Sequence, residues 1–444
     1  MEKGCCLTPR PRFSPQAYSC IEPGYEEILA KKPPVVRIKR FWIVGKEPDY
    51  VIARNYKGLF RISVHGKCSE ELARLPLETL VEALVRDTGD QIELLGYKVL
   101  VKPLAERSID YLKADEWEPR EYALNAIWGI KHPRYRYTVI LQSVLLRELR
   151  EALYRRGFIE LLPPMISPTS DPGLRGAKRL KTKYYGVEYE LTSSVIMYKQ
   201  LSVAVFEKVF FTARNIREEP VKNAETGRHL AEFTQIDIEW GLASTSKVMS
   251  LAEEILREVS EIISNEYNWL IESIGLRREP VVFETPFPKV TYDEALSIAR
   301  KLGYDVEWGK ELSFEAEKAI AMYYNVPVWI TNFPVTSRGF YYLPLEDDSR
   351  YNDDFNLILP EGYGEVVDGG AREYRYEKLV KRIKAMGEDV KRYEWFLELV
   401  KQGAIPPSSG WGLGLERLTA YIAGHKHVVY ATPFPKLPGI TGTP

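Results

Sequence analysis

From Val35 to Val101 the chain runs in short stretches rich in β-branched and aromatic residues, split by Gly and Asp turns. VVRIKRFWIVG, YVIARNY, LFRISVHG and QIELLGYKVLV are such stretches, and a short helical piece, SEELARL, interrupts them. Beyond residue 136 one long amphipathic segment leads into strands and helices in mixed order. Nowhere does that order settle into the βαβ alternation of a doubly wound sheet. It predicts an α+β protein whose main sheet is largely antiparallel and flanked by helices.

A chain of 444 residues, 45% hydrophobic and 28% charged, can bury a large core and suggests two domains rather than one. Residues 1–33 carry Pro, Gly and Cys without periodicity and read as a flexible arm. Five short strands with one helix over 34–106 suit a small β-barrel of the OB type, although an unrelated small β domain would read alike. Residues 107–135 hold Pro119, Pro133 and many charges, and read as a linker. The remainder, 136–444, reads as one large domain. It opens with TVILQSVLLRELREALYRR, where Val139, Leu141, Leu145, Leu149, Ala152 and Leu153 share a helical face. Gly157 ends that helix, and FIELLPPMIS follows as a strand with two prolines. Further helices are predicted at 246–264, 292–302, 313–323, 375–387 and 390–402.

The formal net charge of -1 excludes a general basic field for nucleic acid but leaves room for a local patch. No run of 18 apolar residues appears and the first residues hold no apolar leader. A cytoplasmic protein without a membrane role is expected. Cys5, Cys6, Cys20 and Cys68 lack metal-ligand spacing and read as free thiols.

Three segments set charged groups inside apolar strand patterns. In ARNIREEPVKNAETGRHLAEFTQIDIEW a polar loop carries Arg217, Glu219, Arg228 and His229. A hairpin would bring Arg217 and Arg228 together, and two guanidinium forks suit a polyphosphate. A solvated, salt-bridged hairpin would read the same. In SSGWGLGLERLTAYIAG, Gly410, Gly412 and Gly414 allow another group close to the backbone, and Glu416 and Arg417 open a helix. In YNDDFNLILPEGYGEVVDGGAREYRYEKL, Glu365, Asp368 and Arg372 follow an apolar strand. Acidic residues beside a phosphate site can hold magnesium, and a hairpin with charged turns is the plainer alternative.

Taken together, the three are more specific than any one. R-x-E, then R-H-L-x-E-F-T-x-x-D-x-E, then G-x-G-L-E-R-L resembles motifs 2 and 3 of class II aminoacyl-tRNA synthetases. FIELLPPMIS resembles motif 1, and EFTQIDIE with LPEGYGE resembles the aspartate/asparagine subgroup. The resemblance covers residues 136–444, and more faintly 35–135. It implies an adenylate-forming ligase that uses ATP and Mg2+ and forms a homodimer. Arg217 and Arg417 would be catalytic. Arg217 would meet the α-phosphate, Glu219 the adenine amino group and Arg228 the γ-phosphate. Phe233 and Arg417 would sandwich the adenine, with His229 and Gly414 in the same ATP-binding set. Glu365 would ligate the metal. Gln235 and Asp237 would face the amino group of the amino acid.

LTSSVIMYKQ falls where aspartyl-tRNA synthetases read Q-S-P-Q-L-Y-K-Q, which puts Lys199 on the lysine that binds the aspartate side chain. Arg372 falls on the arginine kept beside that side chain. An ammonium pairs better with a carboxylate than with an amide, so both residues argue for aspartate. Other positions depart from the tRNA ligases: Ile196 for a glutamine, Asn356 for an aspartate, and Ser408-Ser409 for His-Gly. Tyr50 stands where an anticodon-stacking aromatic belongs, and Arg61 where an anticodon-reading glutamine belongs. SSVIMYKQL, GGAREY and IPPSSGWG also look like the archaeal asparagine synthetase related to asparaginyl-tRNA synthetase, which lacks an anticodon domain. Three readings follow: amidation of aspartyl-AMP by ammonia to give asparagine, an aspartyl or asparaginyl tRNA ligase, or a weakly active paralogue that binds RNA or a partner.

Overall fold

The computed structural model describes residues 20–21, 35–87, 92–170 and 176–441. The predicted arm, except Cys20 and Ile21, lies outside them. The chain forms two compact units, 1–113 and 114–444.

The first unit holds β1 (Cys20–Ile21), β2 (Val35–Lys46), β3 (Tyr50–Asn55), β4 (Gly58–Ser63), α1 (Lys67–Arg74), β5 (Leu80–Asp87) and β6 (Ile92–Val101). Their order in the sheet is β1-β6-β5-β2-β3-β4, every pairing antiparallel. Alternation sends Phe41, Ile43, Val51, Ala53, Ile62, Val81 and Val85 inward against Leu72 of α1. Tyr50, Ile52 and Arg54 therefore point to the other face. This arrangement is the expected OB-like domain. Cys68, buried on α1, is disulfide-bonded, which corrects the reading of the cysteines as free thiols. Pairing between distant cysteines leaves no trace in their spacing.

The second unit begins inside the stretch predicted as a linker. That stretch holds a 3-10 turn, Tyr111–Glu116, then α2 (Pro119–Gly129), and runs straight into α3 (Pro133–Arg155). Pro119 and Pro133 each stand at a first helical position, where a missing N–H costs nothing, so they start helices rather than break them. Then follow β7 (Ile159–Leu161), β8 (Ile166–Ser167), β9 (Lys181–Tyr184), β10 (Val187–Leu191), α4 (Ile196–Phe206), β11 (Lys208–Ile216) and β12 (Glu232–Gly241). The middle of the unit holds α5 (Thr245–Glu266), α6 (Asn268–Ile274), β13 (Lys289–Thr291), α7 (Tyr292–Lys301), α8 (Phe314–Tyr324), β14 (Val328–Thr331), β15 (Asp354–Leu359) and β16 (Gly364–Ala371). It closes with α9 (Tyr376–Ala385), α10 (Glu394–Lys401), β17 (Ser408–Gly414) and α11 (Leu415–Ala423). The five predicted helices correspond to α5, α7, α8, α9 and α10, the last preceded by a 3-10 turn at Val390–Tyr393.

Eight strands form the main sheet in the order β13-β14-β15-β16-β17-β12-β11-β7. Only its two outermost pairings, β13 with β14 and β7 with β11, are parallel. The largest core packs α3, α5, α6 and α11 on this sheet, with Leu141, Leu145, Leu149 and Leu153 of α3 all buried. A second core joins α7 and α8 to β13 and β14. Among the described residues no helix is long and apolar enough to cross a membrane.

Candidate active site

Strand alternation builds the floor of a cleft. Phe233, Gln235, Asp237 and Glu239 stand two apart on β12, so their side chains share one face. Gly412 and Gly414 of β17 pair with Asp237 and Gln235. A Cβ on Gly412 would lie 2.8 Å from Asp237 Oδ1 and 3.1 Å from Gln235 Nε2, so glycine leaves these side chains room. A Cβ on Gly410 would likewise collide with the Glu239 carboxylate. Here the glycines serve side chains of the neighbouring strand. All residues given ATP, metal or amino-acid roles from the sequence line this one cavity, of about 760 Å³.

At one end two cations meet two carboxylates. Lys199 Nζ donates to Asp237 Oδ1 at 3.0 Å and to the Trp411 carbonyl at 3.3 Å, with Glu239 Oε2 3.8 Å away. Arg372 donates to both oxygens of Glu239 at 3.0 to 3.3 Å, and Ser408 Oγ donates to Glu239 Oε1 at 2.7 Å. Burial pulls the Arg372 pKa down, but Glu239 and Tyr342 outweigh it and the guanidinium stays charged. All four charged groups are 4% exposed or less, so these are buried pairs that depend on mutual compensation. Asp237 Oδ2 is buried without a hydrogen-bond partner among the described residues, an acceptor suited to an ammonium group.

At the other end Arg217 donates to the Ser193 carbonyl at 3.1 Å and lies over the Phe233 ring, 5.0 Å from its centre. Arg217 has no ion pair among the described residues. Arg417 donates to the carbonyls of Glu365 and Arg228, which ties α11 to the hairpin loop. Glu219 accepts from Asn223 at 2.9 Å, and His229 Nδ1 lies 2.7 Å from Thr226 Oγ1. Glu416 accepts from the Thr234 backbone at 2.9 and 3.1 Å. Its burial raises its pKa, against the pull of that bond. Asn356 Nδ2 donates to Glu365 Oε2 at 2.6 Å.

Several residues here went unassigned in the sequence reading. Glu239 was legible as the next step of the 235, 237, 239 alternation. Arg338, Tyr342 and Glu317 come from segments without a motif. Arg338 joins Asp368 at 3.0 Å and Asp354 at 3.2 Å, and Tyr342 also bonds Asp368. Burial raises Asp354 to about 8, against the pull of Arg338. Burial also raises Glu317, against the pull of Arg228.

Comparison with known proteins identifies the family of this chain. The chain matches the family described as tRNA synthetases class II (D, K and N) over residues 121–438. It is 32% identical to the asparagine–tRNA ligase of Pyrococcus abyssi over 313 residues, 70% of each chain. With that of Thermococcus gammatolerans it shares 28% over 411 residues, 89% of this chain and 92% of the relative. The asparaginyl-tRNA synthetase of Pyrococcus horikoshii complexed with asparaginyl-adenylate superposes with a TM-score of 0.79 at 26% identity. That match covers 91% of this chain and 96% of the other. The aspartyl tRNA synthetase of Entamoeba histolytica shares the fold, with a TM-score of 0.75 at 19% identity, over 96% and 92% of the chains. This chain therefore belongs to the class II tRNA synthetases of the D, K and N group, and is a ligase of that class.

Proposed function

We propose that the protein uses ATP to activate aspartate as aspartyl-adenylate. The observation that carries this is the buried Lys199, beside Arg372 in the amino-acid end of the cleft. An incoming aspartate supplies an ammonium for Asp237 and a carboxylate for Lys199 and Arg372. Each charge exchanges one partner for another, and none is left alone in a closed pocket. With its side chain at Lys199, asparagine would set an amide against an ammonium that gains nothing by leaving Asp237; with its α-carboxylate there, it would offer ATP an amide in place of a carboxylate.

A carboxylate oxygen of aspartate attacks the α-phosphorus of ATP, and pyrophosphate departs. Arg217 would meet the charge that builds in that step, and among the described residues no carboxylate pairs with it. Glu365 fits a magnesium ion held mainly by phosphates and water, since such ions need only one or two carboxylates. When bound, the ion would neutralise charge on the phosphates.

Ammonia is the acceptor we propose. It attacks the acyl carbon, the bond to AMP breaks, and a proton passes to solvent. Asparagine results only if the β-carboxylate was the one activated, so Lys199 and Arg372 then hold the α-carboxylate. The support lies in the first unit. Arg61 Cζ lies 4.5 Å from the centre of the Tyr50 ring, over a face that a base would need. Transfer to tRNA is the second reading, favoured by the relatives named as tRNA ligases and by the OB-like domain itself. There the α-carboxylate is activated, and ammonia would give the α-amide. Labelled aspartate with ATP, ammonium and bulk tRNA, each acceptor omitted in turn, separates the cases. Asparagine made without tRNA supports the first reading. Aspartyl-tRNA with no asparagine supports the second.

A homodimer in the cytoplasm completes the proposal. β7 is an edge strand of the main sheet, and Leu162, Met165, Val205 and Leu242 in the second unit are each at least 74% exposed. A second copy covering them is the expected state in sedimentation.

A further inference from the structure

Arg228 joins two parts of the second unit that have separate cores. Its backbone lies in the loop between β11 and β12, and its guanidinium reaches α8. There Nη1 donates to Glu317 Oε2 at 2.7 Å. The guanidinium carbon lies 4.1 Å from the centre of the Phe314 ring. Phe314 and Glu317 are three apart on α8, so both side chains share one face of the helix. A Cβ at Gly364 would collide with the same Nη1, and the φ of +74° there also favours glycine. The guanidinium is thus fixed by a carboxylate, by a ring and by a strand without a side chain. Its Nε is buried and has no hydrogen-bond partner among the described residues. A buried N–H without an acceptor is costly, and a ligand oxygen in the cleft would relieve that cost.

We propose that Glu317 and Phe314 are positioning residues that hold Arg228 ready for the terminal phosphates of ATP. One edge of the guanidinium binds Glu317, the ring sets its plane, and the remaining N–H groups face the nucleotide. Both residues act through Arg228. A lysine at 228 could not replace the fork, because a point charge cannot serve both partners in one plane. This inference rests on the nucleotide end of the proposed function. It adds residues that lie outside all three sequence motifs.

The test compares nucleotides that differ only in the phosphates Arg228 would reach. ATP and AMP binding are measured by calorimetry on the full chain, for the wild type and for Glu317→Gln and Phe314→Leu. Glu317→Gln should weaken ATP about tenfold or more and leave AMP within about twofold. Phe314→Leu should act in the same direction with a smaller effect. A residue that merely holds up the cleft would move both nucleotides together. Equal loss of ATP and AMP in both variants, unchanged ATP binding, or tighter ATP binding would each overturn the proposal. The last would mean that Glu317 competes with phosphate. A wild type that binds AMP but not ATP counts against the proposed function instead.

Discussion

Among the aromatic rings that lie beneath a guanidinium, one in the cleft and one in the OB-like domain differ in what fixes the cation. In the cleft, Arg217 sits over Phe233 and is also fastened to the Ser193 carbonyl. In the OB-like domain, Arg61 sits over Tyr50, is exposed, and has no ion pair among the described residues. A guanidinium fastened by backbone is preorganised for an anion at one point. An exposed one resting on a ring offers donors in no fixed direction. It can attract phosphate, but it cannot match the donor–acceptor pattern of a base edge. The comparison suggests that the catalytic unit keeps its chemistry while the OB-like domain keeps mainly its shape.

The largest expected effect is at the fastened cation. Arg217→Ala should lower aspartate-dependent pyrophosphate exchange by about 10²–10³-fold, the usual loss when one charge-stabilising donor is removed. Near-normal exchange would put Arg217 on the same footing as Arg61.

The amino-acid end comes next. Lys199→Met removes one partner of a buried pair and leaves Asp237 uncompensated, a cost of about 2–5 kcal/mol. Its KM for aspartate should rise steeply whichever carboxylate is activated, and its preference over asparagine should shrink where Lys199 holds the side chain. An unaltered KM for aspartate would remove Lys199 from its role.

Protonation separates the catalytic unit further. Burial is the main cause that lowers His425 to about 3, with Arg134 adding to it, and its Nε2 lies 2.8 Å from Thr138 Oγ1. The folded pKa lies below the unfolded one, so the unfolded chain takes up the proton first. Stability from this group is full above pH ~6.5 and falls as pH drops from there toward 3. The loss should reach about 2 kcal/mol by pH 5. Denaturant melts of wild type and His425→Gln across pH 7 to 5 check this, and the variant should show a flatter decline. Equal slopes would contradict it.

The smallest effect belongs to the exposed pair. Arg61→Ala should leave asparagine formation within about twofold while weakening any salt-sensitive RNA binding. Loss of aspartyl transfer to one tRNA species in this variant would show that the OB-like domain reads an anticodon after all.

These regions also differ in how well the sequence announced them. The cleft floor was legible because alternation on β12 and the glycines of β17 are local patterns with one geometric outcome. Lys199, Arg217 and Arg372 were found because motif text surrounds them. Glu317, Arg338 and Tyr342 were not, since they reach the cleft through packing of a separate core, and no local spacing encodes that. The linker reading failed at Pro119 and Pro133 because a proline that starts a helix looks, in sequence, like one that ends it. The Cys68 disulfide was hidden for a similar reason, because distance along the chain says nothing about distance in space.

Pyrophosphate exchange on the unaltered protein, with aspartate and with asparagine as alternative substrates, tests the central claim most directly. A buried lysine and arginine at the amino-acid end predict exchange that depends on aspartate and is nearly absent with asparagine. Equal or faster exchange with asparagine would contradict the account and make the protein an asparagine-activating tRNA ligase like its named relatives.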